Sequence, residues 1–238
     1  MKVAILGGTG TFGRALAGRL AALGEDEVVL GSRDAERARI AAHELGGGRI
    51  GGAANLDAVR GADLVVLAVK ADAALDTARE VAEALDLTPL LCVATAIEFR
   101  KGAGALPDPE ARSLAERVQD SLRAPVAAGL HSIAAANLDA AAPDEDALIC
   151  GDDPRAKELS LELAAKLVAG RALDAGPLAS ARALEGLTAV IVNLNRRYKA
   201  HAGVRVTGVP DPAPKARDGA YTAAEVHAFR RTYALLPR

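Results

Sequence analysis

Three features of the sequence predict an α/β fold in which a doubly wound parallel sheet carries helices on both faces. Short apolar runs alternate with amphipathic helical stretches along the first 130 residues or so. The central run, Asp63–Val69 (DLVVLAV), is apolar at consecutive positions rather than at every second one. That is the pattern of a strand covered on both faces. A complete Gly-x-Gly-x-x-Gly stands between the first apolar run and the first helical stretch. Such alternation builds one parallel sheet joined by right-handed crossovers.

The elements follow in order. Lys2–Leu6 is a buried strand closed by Gly7-Gly8. Thr11–Leu23 places Phe12, Leu16, Leu20 and Leu23 at helical spacing, and Gly24 ends the helix. Glu27–Leu30 is a second strand, and Ala35–Leu45 a second helix closed by Gly46-Gly47-Gly48. Asp63–Val69 is a strand, Ala71–Leu85 a helix, Pro89–Val93 a strand, Ser113–Leu122 a helix and Pro125–Ala128 a short strand. After Asp144 come a strand at Ala147–Cys150, a helix from Gly151-Asp152-Asp153-Pro154 to about Val168, and a strand at Arg171–Asp174. The longest helical pattern runs from Leu178 to about Lys199, with Leu184, Leu187, Val190, Ile191 and Leu194 on one side. Its length suits a helix that crosses the cleft or pairs with its own copy. A Pro-rich linker at 210–217 precedes a final helix at Thr222–Leu235, where Thr222 and Glu225 have capping-box spacing. The expected division is a nucleotide-binding domain at 1–145, a smaller, mainly helical domain at 146–209, and the linker with its terminal helix at 210–238.

Composition narrows the function. The net charge of −2 gives no general attraction to nucleic acid or anionic membranes. Aromatics at 3% argue against stacking platforms for single strands. No apolar run reaches the roughly 18 residues of a membrane helix. Cys92 and Cys150 stand outside any CxxC pattern and read as buried small hydrophobes in a reducing cytoplasm. No metal-spaced His cluster or Ser–His–Asp set is legible, so no metal site is expected.

Gly8-Thr9-Gly10-Thr11-Phe12-Gly13 is the glycine fingerprint in its proper context, after a strand and opening a helix. It marks a Rossmann-type dinucleotide site. Gly8 permits the tight turn, Gly10 lets a pyrophosphate approach the backbone, and Gly13 lets the helix pack on the strand. The N–H groups at the helix start then face the phosphates. NAD-binding sites carry Asp or Glu at the end of the second strand to hold the ribose 2′-hydroxyl. Here the chain reads Gly31-Ser32-Arg33, with Arg37 one helical turn further on and Thr9 opposite. A hydroxyl and guanidinium groups attract a 2′-phosphate, which a carboxylate would repel. Asp34 lies one place beyond the acid position and reads as a helix cap. The cofactor expected is therefore NADP. Val69 and Ala94-Thr95-Ala96 end two central strands, where a doubly wound sheet places its ligands. Val69, Ala94 and Ala96 are expected to line the nicotinamide.

Further motifs carry a resemblance. Gly7-Gly8-Thr9-Gly10 with Gly13, Gly31-Ser32-Arg33, Leu130-His131, Cys150-Gly151-Asp152-Asp153, Leu173-Asp174-Ala175-Gly176-Pro177-Leu178, Glu185-Gly186-Leu187-Thr188 and Asn193-Leu194-Asn195-Arg196-Arg197-Tyr198-Lys199 occur in that order. Over about residues 1–209 the chain resembles the F420-dependent NADP reductases. The resemblance implies hydride transfer between C4 of the nicotinamide and C5 of the deazaflavin coenzyme F420, the two rings stacked in a cleft, in a metal-free homodimer. It implies that His131 lies near the deazaflavin as the catalytic-site histidine. Ser132, Ile133 and Ala134 would lie where the rings meet and bind the second substrate. Two segments depart from the family pattern: Ala96-Ile97-Glu98-Phe99-Arg100 and Ile133-Ala134-Ala135-Ala136. They leave open an NADPH-dependent reductase of another heterocycle or an imine, such as a pterin. A non-catalytic NADP sensor is the reading from a different class.

Overall fold

The computed structural model describes residues 1–46, 48–140 and 142–209. The expected linker and terminal helix, with Arg217, Arg230 and Arg231, lie outside the described residues. Ten strands are present among them: β1 (Lys2–Leu6), β2 (Glu27–Ser32), β3 (Ile50–Ala54), β4 (Leu64–Leu67), β5 (Leu90–Cys92), β6 (Ile97–Arg100), β7 (Gly104–Pro107), β8 (Val126–Gly129), β9 (Ala147–Gly151) and β10 (Ala172–Asp174). The α-helices are α1 (Thr11–Leu23), α2 (Ala35–Gly46), α3 (Asn55–Ala58), α4 (Ala71–Leu85), α5 (Leu114–Asp120), α6 (Ala135–Ala140), α7 (Pro154–Leu167) and α8 (Ala181–Tyr198).

Eight strands form one sheet in the order β10-β9-β8-β5-β4-β1-β2-β3. Its middle is parallel, as the sequence predicts, but β9 pairs antiparallel with β8, and β10 runs parallel to β9. The sheet is therefore mixed at one end. The sequence cannot announce this reversal, because an apolar run reads alike in either direction. The stretch 146–207 adds these two strands to the sheet, and Met1–Thr207 forms a single compact unit.

Two apolar layers sandwich the sheet. Val3 and Ile5 point into one with Leu16, Leu20, Leu163 and Leu167. Ala4 and Leu6 point into the other with Val81, Leu85, Val118 and Leu184. Successive side chains of a strand leave on opposite faces, so a run such as β1 must be apolar throughout. With few aromatics, both layers are built from Ala, Val, Leu and Ile.

The sequence reading missed five elements: β3, α3, α6 and the two strands of the β6–β7 hairpin. Gly51-Gly52 hides β3, since glycine weakens a strand pattern. A β-carbon at Gly52 would stand 2.5 Å from the backbone of Ala38, so α2 packs directly on this strand. The one-turn α3 and the short α6 lack the length that periodicity needs. The β6–β7 hairpin forms a separate two-stranded sheet. It is held by Asn193 of α8, whose side chain accepts from the Ala105 N–H at 2.8 Å and donates to the Ala105 carbonyl at 2.7 Å. One amide thus pairs with the hairpin as a neighbouring strand would. The expected long helix from Leu178 starts as a 3₁₀ turn over Leu178–Ser180 before α8.

Candidate functional site

The site lies at the carboxyl ends of the parallel strands, where the sheet order changes direction around β1 and β4. The glycine loop after β1 is locked to β2, because the N–H groups of Gly7 and Gly8 both donate to the Gly31 carbonyl, at 3.2 and 3.3 Å. Gly7 has φ +80°, a left-handed conformation suited to glycine. A β-carbon at Gly8 would strike Leu30 Cδ2 at 2.6 Å, and one at Gly13 would strike the Gly7 carbonyl oxygen at 2.6 Å. These two glycines are demanded by packing. Gly10 differs: a β-carbon there would meet only Gly7 O, at 3.2 Å, and the residue is exposed. Its bareness keeps space open on the solvent side, where a ligand would enter. Gly10 caps α1 without any side-chain hydrogen bond, and the first turn holds no acid. The N–H groups of that turn are thus presented to an anion. Thr9 and Phe12 are half-buried and Thr11 is exposed around the opening.

At the end of β2, Ser32 is buried, and its hydroxyl accepts the Asp34 N–H at 3.2 Å. Asp34 caps α2, as its position suggests. Its Oδ1 accepts the N–H groups of Glu36 at 2.9 Å and Arg37 at 3.2 Å. The carboxylate is therefore turned to the helix. Arg33 and Arg37 are exposed, and neither guanidinium has a hydrogen bond or ion pair among the described residues. Two free cations and a hydroxyl stand where a ribose 2′-substituent is expected, a set that fits a phosphate.

The exits of β4 and β5 close the inner side. A β-carbon at Gly7 would stand 2.8 Å from Val69 Cγ1, so Val69 abuts the loop. Ala94 and Ala96 are buried. His131, after β8, is brought against Ala94, with its Nε2 3.5 Å from that carbonyl. A carbonyl can only accept, so this contact calls for the Nε2–H tautomer and leaves Nδ1 an acceptor. Nδ1 is buried and has no partner. Burial holds the ring pKa down at about 4, so the imidazole is neutral near pH 7.

The loop around His131 is tightly fastened. Leu130 has φ +63° although it is a buried leucine, a strained conformation of the kind that collects at functional sites. The Ser132 hydroxyl donates to the Asp146 carbonyl at 3.0 Å, and beside it Ile133 is buried and Ala134 half-buried. Asp146 itself is anchored by Arg171, whose hydrogen bonds hold the carboxyl well below its usual range. The hydroxyl of Thr188, on α8, donates to the His131 carbonyl at 3.1 Å. The sequence reading quoted Thr188 within the Glu185–Thr188 motif but gave it no role. Leu130 gave no signal, since leucine does not announce a left-handed backbone. Glu185 is buried on α8 and accepts the N–H groups of Leu114 and Ala115 at 3.0 and 3.1 Å, tying α8 to the start of α5. Burial raises its pKa. A cavity of about 530 Å³ opens beside Ala96, walled by Pro107, Asp108, Arg182, Glu185 and Gly186. Cys92 and Cys150 are buried and unpaired, and burial pushes both thiols up to about 12.

Sheet order, glycine loop and open helix start together define a Rossmann-type dinucleotide-binding protein. A family model described as "NADP oxidoreductase coenzyme F420-dependent" matches residues 2–93. The F420-dependent NADP reductase of Methanothermobacter marburgensis is 38% identical over 225 residues, covering 89% of this chain and 100% of the relative. That of Methanothermobacter thermautotrophicus is also 38% identical over 225 residues, covering 89% and 97%. A crystal structure from Arthrobacter sp. FB24 matches with a TM-score of 0.76 and 28% identity, covering 87% of this chain and 99% of that one. The chain belongs to the F420-dependent NADP reductase family.

Proposed function

We propose that this protein transfers a hydride between NADP(H) and the deazaflavin coenzyme F420. The observation that carries the reading is kinship over 89% of the chain with an F420-dependent NADP reductase, in a chain whose glycine loop has the shape of a dinucleotide cradle. The amides at the start of α1 would hold the diphosphate. Thr9, Ser32, Arg33 and Arg37 would hold the 2′-phosphate. Val69, Ala94 and Ala96 would line the nicotinamide, and His131, Ile133 and Ala134 would meet the second ring, whose outer parts have room in the cavity beside Ala96. The two coenzymes supply the hydride donor and acceptor carbons. The protein's share is alignment and exclusion of water. A neutral His131, with a free acceptor at Nδ1, suits a hydrogen bond to a ring or hydroxyl group and carries no charge to repel either partner. The strained Leu130 and the bonds from Ser132 and Thr188 fix where it stands. The buried thiols suit a reducing cytoplasm. Mixing enzyme with NADPH and oxidised F420 without oxygen, and following absorbance, should show both spectra change together. NADPH that stays unoxidised with F420 but reacts with a cyclic imine or pterin would move the reading to that substrate.

The same reading makes the protein a homodimer. Val190, Leu194 and Tyr198 are 53%, 41% and 68% exposed along one stripe of α8, and Phe99 on the adjoining hairpin is 61% exposed. A helix seam this apolar suits contact with a second copy. Among the described residues, no helix is long and apolar enough to cross a membrane.

A further inference from the structure

The assignment of the nucleotide site leaves Lys70, a cation at the same edge of the sheet, without a role. Lys70 follows Val69 beyond the exit of β4 and is the extended N-cap residue just before α4, with φ −64° and ψ 152°. It is exposed, and its ammonium has no hydrogen bond or ion pair among the described residues. Asp72 is the acid of the first turn of α4, two positions on. Side chains at that spacing do not face each other.

Strand register fixes where Lys70 stands. Leu6 of β1 is level with Gly31 of β2 on one side and with Leu67 of β4 on the other. Arg33 is thus two residues above that level on one flank of the glycine loop, and Lys70 three residues above it on the other. β1 lies between β2 and β4 in the sheet, so the exits of these two strands flank the glycine loop that follows β1. The exit of β4 also touches the loop directly, since a β-carbon at Gly7 would lie 2.7 Å from the Ala68 carbonyl oxygen. Two exposed cationic residues therefore follow the strand exits on either side of the glycine loop. A cation kept there without an acidic partner is placed to meet an anion supplied from solution.

We propose that Lys70 is a further phosphate-binding residue of the dinucleotide site, gripping from the β4 flank while Arg33 and Arg37 grip from the β2 flank. The proposal rests on the NADP reading. An ammonium is a compact point charge with three donors, and it suits a phosphate approached from one side without the fixed fork of arginine. Replacing Lys70 by Ala should raise the Kd for NADPH about tenfold at low salt, while Lys70→Arg should recover most of the loss. Titrations with NADPH, NADH and 2′,5′-ADP identify the phosphate. Equal losses for NADPH and NADH mean the diphosphate, and a loss confined to NADPH and 2′,5′-ADP means the 2′-phosphate. Either result supports the proposal. Lys70→Ala and Lys70→Gln proteins that melt normally and bind all three probes like the wild type would overturn it. If Arg33→Ala still weakens NADPH in that case, the NADP reading survives alone. A wild-type protein that does not bind NADPH would take both down.

Discussion

Arg33→Ala removes a guanidinium that, among the described residues, touches no partner. The fold should hardly notice. Surface substitutions of this kind fall within about 0.5 kcal/mol, which for a chain of this size is about 2 °C in melting temperature. The whole effect should land on the ligand. A hydrogen bond to a charged group contributes about 1.5–3 kcal/mol. The exposed position sets the lower figure, so the Kd for NADPH should rise about tenfold. NADH lacks the 2′-phosphate and should bind within about twofold of wild type on the same argument. Salt should shrink the contrast, since the screening length falls from about 10 Å at 0.1 M to about 3 Å at 1 M. Parallel fluorescence titrations with the two nucleotides at both salt concentrations measure all of this. Equal loss of NADPH and NADH affinity, or no loss for NADPH, would refute the assignment of the 2′-phosphate to this strand end.

Gly10→Ala and Gly13→Ala should separate binding from folding. The first should melt near the wild type yet lose NADPH. The second puts a methyl group 2.6 Å from the Gly7 carbonyl oxygen and should lower the melting temperature by several degrees, on an overpacking cost of about 1–3 kcal/mol. Acid should expose His131. With its folded pKa near 4 against an ordinary 6.5, the unfolded chain binds the extra proton between those values, so stability rises with pH through that window. Stability should fall by up to roughly 3 kcal/mol as pH drops from about 6.5 to about 4. Denaturant melts of wild type and His131→Asn would check this, and an unchanged acid slope in the variant would clear His131 of the effect. Leu194→Glu puts a charge on the apolar stripe of α8 and should turn a dimer into monomers in sedimentation. An unaltered dimer would place the contact elsewhere.

The parts legible in the sequence were those written in side-chain pattern. The strand runs and the helices of four turns or so appear as read, with Gly8 and Gly10 in the turn and Gly13 in the first turn of α1, as their spacing implies. Asp34 caps α2, as its place one residue past the acid position suggested. What escaped was set by backbone or by distant partners. The reversal of β9 depends on where the chain returns, β3 is masked by glycines that exist to let α2 approach, and the hairpin depends on one amide 88 residues away. His131 was singled out by resemblance, and its neutral state comes from burial that no local pattern records. Ser132 is the instructive case among the predicted contacts. Its place beside the rings came from resemblance, while the bond from its hydroxyl to the Asp146 carbonyl depends on a partner 14 residues away.

The solvent-facing position of Arg33 and Arg37 has a consequence for how such an enzyme can change. Every glycine of the cradle is wedged by backbone or occupied by approach, so its chemistry is frozen by architecture. If Arg33 and Arg37 bind the 2′-phosphate as proposed, preference between the two nicotinamide currencies is delegated to two exposed residues that carry no architectural duty. A lineage, or an engineer, can therefore retune which nucleotide pool the protein draws upon by editing the rim while the scaffold stays as it is.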